Sequence, residues 1–158
     1  YEQYKIKPDV VTLAKALGCG VPVGAFVAKE EYAAALVPGD HGSTYGGNPF
    51  AAAAILKVFE LFEKQQVLEN VREVSVYLEK QLEEKYACIK ERRGRGMMQG
   101  LEFDRPVKEI IKKAMDAGLI TFSAGERIIR FVPPLVIGKE HVDEMIKILE
   151  PVIAEEEQ

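Results

Sequence analysis

The sequence has no tryptophan and only two cysteines, Cys19 and Cys88, in 158 residues. Two thiols so far apart give neither metal-ligand spacing nor a disulfide framework, and they fit a reducing cytosol. No apolar run approaches the ~18 residues a membrane helix needs. A basic surplus is also missing. Twenty-one Lys and Arg face 25 Asp and Glu, a net charge of −4, which argues against a nucleic-acid partner. There is no internal repeat and no low-complexity stretch. The start, YEQYKIKPDVV, lacks both a signal-peptide pattern and an initiator methionine, and reads as a fragment or processed chain. What remains is a globular composition, 47% hydrophobic and 29% charged. A chain of this length buries about 70% of its unfolded surface, enough for a real core.

The hydrophobic pattern divides the chain near residues 62–65. In the first part, Val10–Leu13 and Ala25–Ala28 are short apolar runs that read as strands, with a short helix over 30–36. Their apolarity predicts membership of a larger parallel sheet. A glycine-rich loop follows and ends at Asn48-Pro49, a good N-cap and first-turn pair. The helix it starts, over 50–62, is apolar nearly all round and is expected to be buried on more than one side.

The second part reads as a compact set of four strands and three helices. An amphipathic helix is expected over 67–85, with Val71, Val74, Leu78 and Leu82 on one face. A strand pair over 88–92 and Met98–Phe103 turns at Gly94 and Gly96. Pro106 opens a helix that Gly118 stops. Strands over 119–122 and 127–132 flank Ala124-Gly125. A closing helix carries Val142, Met145, Ile146 and Leu149. Pro151 is expected to end or kink it, before a solvated EEEQ tail. The fold class is therefore α/β over 1–62, then α+β over 63–158.

Three places could carry chemistry. Lys15 sits at the carboxyl end of a predicted strand, where ligands gather in α/β sheets, and Ala14, Ala16 and Leu17 would desolvate its amine. A surface lysine is the plain alternative. In the loop HGSTYGGNP, the Ser43 and Thr44 hydroxyls, three glycine N–H groups and a helix N-terminus together suit a phosphate. An ordinary capped turn is the alternative. Arg130 shares a strand face with Ile128 and Val132, and an arginine there needs a carboxylate or phosphate, either a ligand or an internal Glu. Arg92, Arg93 and Arg95 read as a solvated hairpin or a weak anion site. Cys88 reads as core and Cys19 as a loop thiol, while His41 and His141 are not spaced as metal ligands.

The phrases KPDVVTLAKALGCGVPVGAFVA, HGSTYGGNPFAAAA, RGRGMMQGLEF and RIIRFVPPLVI together resemble the class III, pyridoxal-phosphate-dependent aminotransferases. They run in that family's order over nearly the whole chain. The resemblance implies the end of the large domain of a fold type I transferase, followed by its small C-terminal domain. It implies pyridoxal 5'-phosphate as cofactor, with Lys15 binding its aldehyde and acting as the acid/base. Thr44 matches the threonine that bonds the cofactor phosphate across a homodimer interface. Ser43 matches a position near substrate and phosphate, and Arg130 the clamp on the substrate α-carboxylate. The implied reaction moves the δ-amino group of N2-acetylornithine to 2-oxoglutarate, a step of arginine biosynthesis in the cytoplasm. Ornithine, 4-aminobutyrate and succinylornithine are alternative donors, and a non-catalytic α+β dimerisation or binding domain is the alternative of another kind. The family's phosphate loop, the aromatic stacked on the pyridine ring and the acid at its nitrogen would lie upstream. The isolated chain is therefore expected to be inactive. One departure is LGCG, which puts Cys19 where glycine is usual, at a position that needs a permissive backbone.

Overall fold

A computed structural model describes residues 1–83 and 86–156. The chain divides into two compact units, Tyr1–Gln65 and Gln66–Gln158. Among the described residues no helix is long and apolar enough to cross a membrane.

The first unit contains β1 (Val10–Leu13), β2 (Ala25–Ala28), α1 (Glu30–Ala33) and α2 (Pro49–Lys64). The two strands pair with each other, Val10 opposite Ala28 and Leu13 opposite Ala25, and the pairing is antiparallel. The expected parallel arrangement is thus corrected. The segment over 14–24 reverses the chain between them, and Lys29 clamps the open end, its N–H donating to Asp9 O at 3.0 Å and its ammonium to Asp9 Oδ1 at 2.5 Å. α1 stops at Ala33, short of the expected residue 36. α2 begins where Asn48-Pro49 predicts. Asn48 Oδ1 accepts the Ala51 N–H at 2.9 Å, which satisfies one of the donors a helix start leaves unpaired. The expected burial of α2 on several sides is not found. Ala51 is its one buried residue, and Phe50, Leu56 and Phe59 are exposed.

The second unit contains α3 (Val67–Gln81), β3 (Ile89–Arg95), β4 (Met98–Phe103), α4 (Lys108–Asp116), β5 (Phe122–Ser123), β6 (Ile128–Phe131) and α5 (Lys139–Glu155). Residues 84 and 85 of the expected 67–85 helix lie outside the described residues, as do the last two of the tail. The sheet order is β3-β4-β6-β5, antiparallel throughout. Period-two alternation sends Leu101, Phe103, Ile129 and Phe131 to one face. There they pack with Val74 and Leu78 of α3, Ile110 of α4, and Val142 and Leu149 of α5.

Polar ties lock the helices over that face. Tyr77 donates to Asp143 Oδ1 at 2.5 Å and Lys139 to Glu73 Oε1 at 2.6 Å, both between α3 and α5. Buried Gln99 has a full set of partners. Its Oε1 accepts from Arg92 at 2.9 Å, and its amide donates to Gly96 O at 2.7 Å and Glu79 at 3.2 Å. A buried amide with both ends satisfied costs the core little.

Three expectations shift here. α4 starts at Lys108, with Val107 at its cap, so Pro106 precedes the helix rather than opening it. Gly118 closes α4 as expected, with φ +98, a conformation that suits a residue without Cβ. The strand expected over 119–122 shrinks to Phe122–Ser123, because Leu119 N–H turns back to Ala114 O at 2.8 Å. Pro151 does not end α5. It lies inside the helix, which runs on to Glu155 with Val152 and Ile153 buried, so packing offsets the lost backbone bond.

Candidate active site

β1 delivers the chain, through an extended Ala14, to Lys15, which opens a 3-10 turn over Lys15–Leu17. The turn is closed by Leu17 N–H to Ala14 O and Gly18 N–H to Lys15 O, each 3.1 Å. Lys15 therefore sits at the carboxyl end of a strand, as its sequence context predicts. Its φ is +54, in the left-handed region, where a non-glycine residue costs of order 1–3 kcal/mol. Such strain gathers at functional sites. Gly18 holds the next bend tight, because a Cβ there would lie 2.2 Å from Val21 O. Cys19 has φ +47, so the usual-glycine position does have the conformation that favours glycine.

The Lys15 side chain is exposed and borders a depression of about 400 Å³ with Gly20, Val21, Pro22 and Val23. Among the described residues no carboxylate pairs with its amine. Ala14 and Ala16 are themselves exposed and Leu17 is half-buried, so the expected desolvation by these neighbours is not found.

Ser43 and Thr44 lie in the turn before α2, and both are exposed. Gly46 N–H donates to Ser43 O at 3.3 Å, and Asn48 Nδ2 donates to Tyr45 O at 2.8 Å. Two of the donors counted toward a phosphate site are thereby engaged: the Gly46 N–H, and the Ala51 N–H taken by Asn48. The two hydroxyls remain without a protein partner among the described residues. No hydrogen bond joins Lys15 to Ser43 or Thr44.

Arg130 belongs to the second unit. It points to the sheet face opposite the core, between buried Ile129 and Phe131. In register it lies beside Gly100 of β4 and Phe122 of β5. Its guanidinium carbon is 5.5 Å from the centroid of the Phe122 ring. Arg93, one strand further across, is held by Glu91 and Glu102. Among the described residues no carboxylate pairs with Arg130, so the internal-Glu alternative for this arginine is not what is found. Sequence reasoning missed Phe122 as a neighbour of Arg130. The pairing follows from the β5–β6 register, which composition does not encode.

The groups with displaced pKa values lie elsewhere in the second unit. The hydrogen bond from Lys139 lowers Glu73, and that from Arg105 lowers Asp104. The bond to Asp143 raises the Tyr77 phenol, and bonds to Glu156 and Glu155 raise Lys113. These are structural ion pairs and hydrogen bonds.

Known proteins match this geometry over nearly the whole chain. A family model described as "Aminotransferase class-III" matches residues 1–153. Acetylornithine aminotransferase of Gloeobacter violaceus is 48% identical over 159 residues, covering 98% of this chain and 40% of that protein. The enzyme of that name from Methanocaldococcus jannaschii is 45% identical, again over 98% of this chain and 40% of its own length. Among solved structures, the ornithine delta-aminotransferase of Plasmodium falciparum superposes with a TM-score of 0.87 at 35% identity, covering 97% of this chain and 41% of that one. The acetylornithine aminotransferase of Elizabethkingia anophelis gives 0.90 at 29%, covering 98% and 43%. The chain thus spans about 40% of the length of the curated relatives it matches. Its fold, an α/β unit followed by an α+β unit, is that of the fold type I aminotransferases, and the chain belongs to the class III aminotransferase family.

Proposed function

We propose that this chain supplies the C-terminal portion of an acetylornithine-type aminotransferase, with residues 1–62 ending the large cofactor domain and 63–158 forming the small domain. The complete protein moves the δ-amino group of N2-acetylornithine to 2-oxoglutarate, as a cytoplasmic homodimer serving arginine biosynthesis. The cofactor of this reading is pyridoxal 5'-phosphate, which when bound supplies the electron sink that acidifies the substrate C–H bond. The residues of the first unit fit that group: the exposed Lys15 amine and the exposed Ser43 and Thr44 hydroxyls have no protein partner among the described residues.

Each residue then has a defined task. Lys15 Nζ would hold the cofactor through its aldehyde and would serve as the base that takes the proton from the reacting carbon. That carbon is Cδ for acetylornithine and Cα in the glutamate half-reaction. Arg130 offers a planar fork of N–H donors to the substrate α-carboxylate and so fixes the orientation in which the substrate is held. Thr44 Oγ1 donates to the cofactor phosphate of the partner subunit, and Ser43 stands near phosphate and substrate.

The observation that carries this reading is Lys15, an unpaired amine on a left-handed backbone at the end of β1. In the full-length protein Lys15→Ala abolishes transamination between acetylornithine and 2-oxoglutarate. Retained turnover in that variant contradicts the assignment. The neighbouring ornithine aminotransferase fold favours a second donor, free ornithine. Steady-state rates with acetylated against free ornithine on the full-length protein decide between the two. The isolated chain is expected to turn over neither donor.

A further inference from the structure

Arg130 and Phe122 face each other in register across β6 and β5, on the sheet face away from the core. The guanidinium lies 5.5 Å from the ring centroid, within the range of a cation–π contact. On its other flank the in-register neighbour is Gly100, which offers no side chain. A Cβ at Gly100 would lie 3.3 Å from Ile128 Cγ2, so that flank has little room to gain one. Phe122 is thus the in-register side chain against which Arg130 rests.

The contrast with Arg93 shows why a ring matters. Arg93 is fixed by Glu91 and Glu102, whose carboxylates oppose its charge and both engage its Nη2. A ring attracts the cation through its π face and takes none of the five N–H donors. An arginine held by a ring keeps both its charge and its fork, while one held by a carboxylate does not.

We infer that Phe122 is a positioning residue, its ring holding the Arg130 guanidinium in place to receive the substrate α-carboxylate. This rests on the reading of Arg130 as the carboxylate clamp, and deepens it. Without the ring, the long Arg130 side chain must be ordered by the substrate itself, and that cost falls on binding.

The test uses the full-length holoenzyme. Phe122→Leu keeps an apolar side chain at a position 43% exposed on a two-residue strand. It raises KM for both amino donor and 2-oxoglutarate by about two- to fivefold with kcat nearly unchanged. Phe122→Tyr, which keeps the π face, restores the original KM. Arg130→Met, measured in parallel, raises KM far more. If Arg130→Met raises KM and Phe122→Leu does not, the role of Phe122 is overturned while the clamp stands. If neither changes KM, the clamp assignment fails and the inference with it. A loss of thermal stability in Phe122→Leu, with KM and kcat falling together and no rescue by Tyr, assigns the ring a merely structural role and overturns the inference.

Discussion

Leu101 in the second unit is 1% exposed, whereas Leu56 in the first is 71% exposed, although both lie mid-element. The difference runs through the two units. The second closes three helices over one face of a four-stranded sheet, and its alternating strand residues find partners within the unit. Among the described residues of the first, Ala51 is the one buried hydrophobic residue, and Phe26, Val27, Phe50 and Phe59 stand exposed. An apolar helix and a two-stranded sheet do not make an independent core. Under the proposed reading, the first unit is built to be covered by the rest of a large domain, while the second is self-sufficient. The candidate chemistry is split across the same line, with Lys15, Ser43 and Thr44 in one unit and Arg130 in the other.

Core truncation tests this contrast most strongly. In the isolated chain, Leu101→Ala destabilises the second unit by about 2–5 kcal/mol, through lost burial and a residual cavity. Leu56→Ala changes stability by less than ~0.5 kcal/mol, as an exposed substitution does. Urea denaturation measures both. In the full-length protein the account expects the Leu56→Ala cost to rise to core magnitude, and equal small costs in both settings would break the contrast.

A smaller effect is local to the first unit. Asn48→Ala removes the α2 cap, at a cost of about 1 kcal/mol read in the same denaturation experiment. It also frees Tyr45 O from the Asn48 amide, loosening the turn that presents Ser43 and Thr44.

The smallest effect belongs to the second unit and concerns acid. Glu73 and Asp104 have ordinary pKa values of 4.5 and 3.8, and Lys139 and Arg105 hold them lower in the folded state. The unfolded chain takes up these protons first. Their stabilisation is therefore present above the ordinary values and lost as pH falls through the lowered ones. The thermal midpoint of the second unit should drop on acidification from about pH 5 toward pH 3, and Glu73→Gln should flatten part of that slope.

Much of the fold is legible in the sequence where local chemistry decides it. Asn48-Pro49 marks the start of α2, Gly118 marks the end of α4, and Gly96 marks the hairpin between β3 and β4, whereas Gly94, also expected in that turn, lies within β3. Direction and register are less legible. Val10–Leu13 and Ala25–Ala28 are four-residue apolar runs that encode no strand orientation, and their antiparallel pairing is invisible until the loop between them is folded. Pro151 does not stop α5, because burial of Val152 and Ile153 outweighs a local helix-breaking preference.

The candidate site divides in the same way. Residue types and neighbours point to Lys15, Ser43, Thr44 and Arg130. The left-handed backbone of Lys15 and the Phe122 ring beside Arg130 are properties of chain geometry, and no residue pattern announces them.

The central claim is that Lys15 is where the cofactor attaches. The direct measurement is borohydride reduction of the full-length protein loaded with pyridoxal 5'-phosphate, followed by peptide mapping. The account predicts a label on the peptide containing Lys15 and its loss in Lys15→Ala. A label on another lysine, retained in that variant, would contradict it.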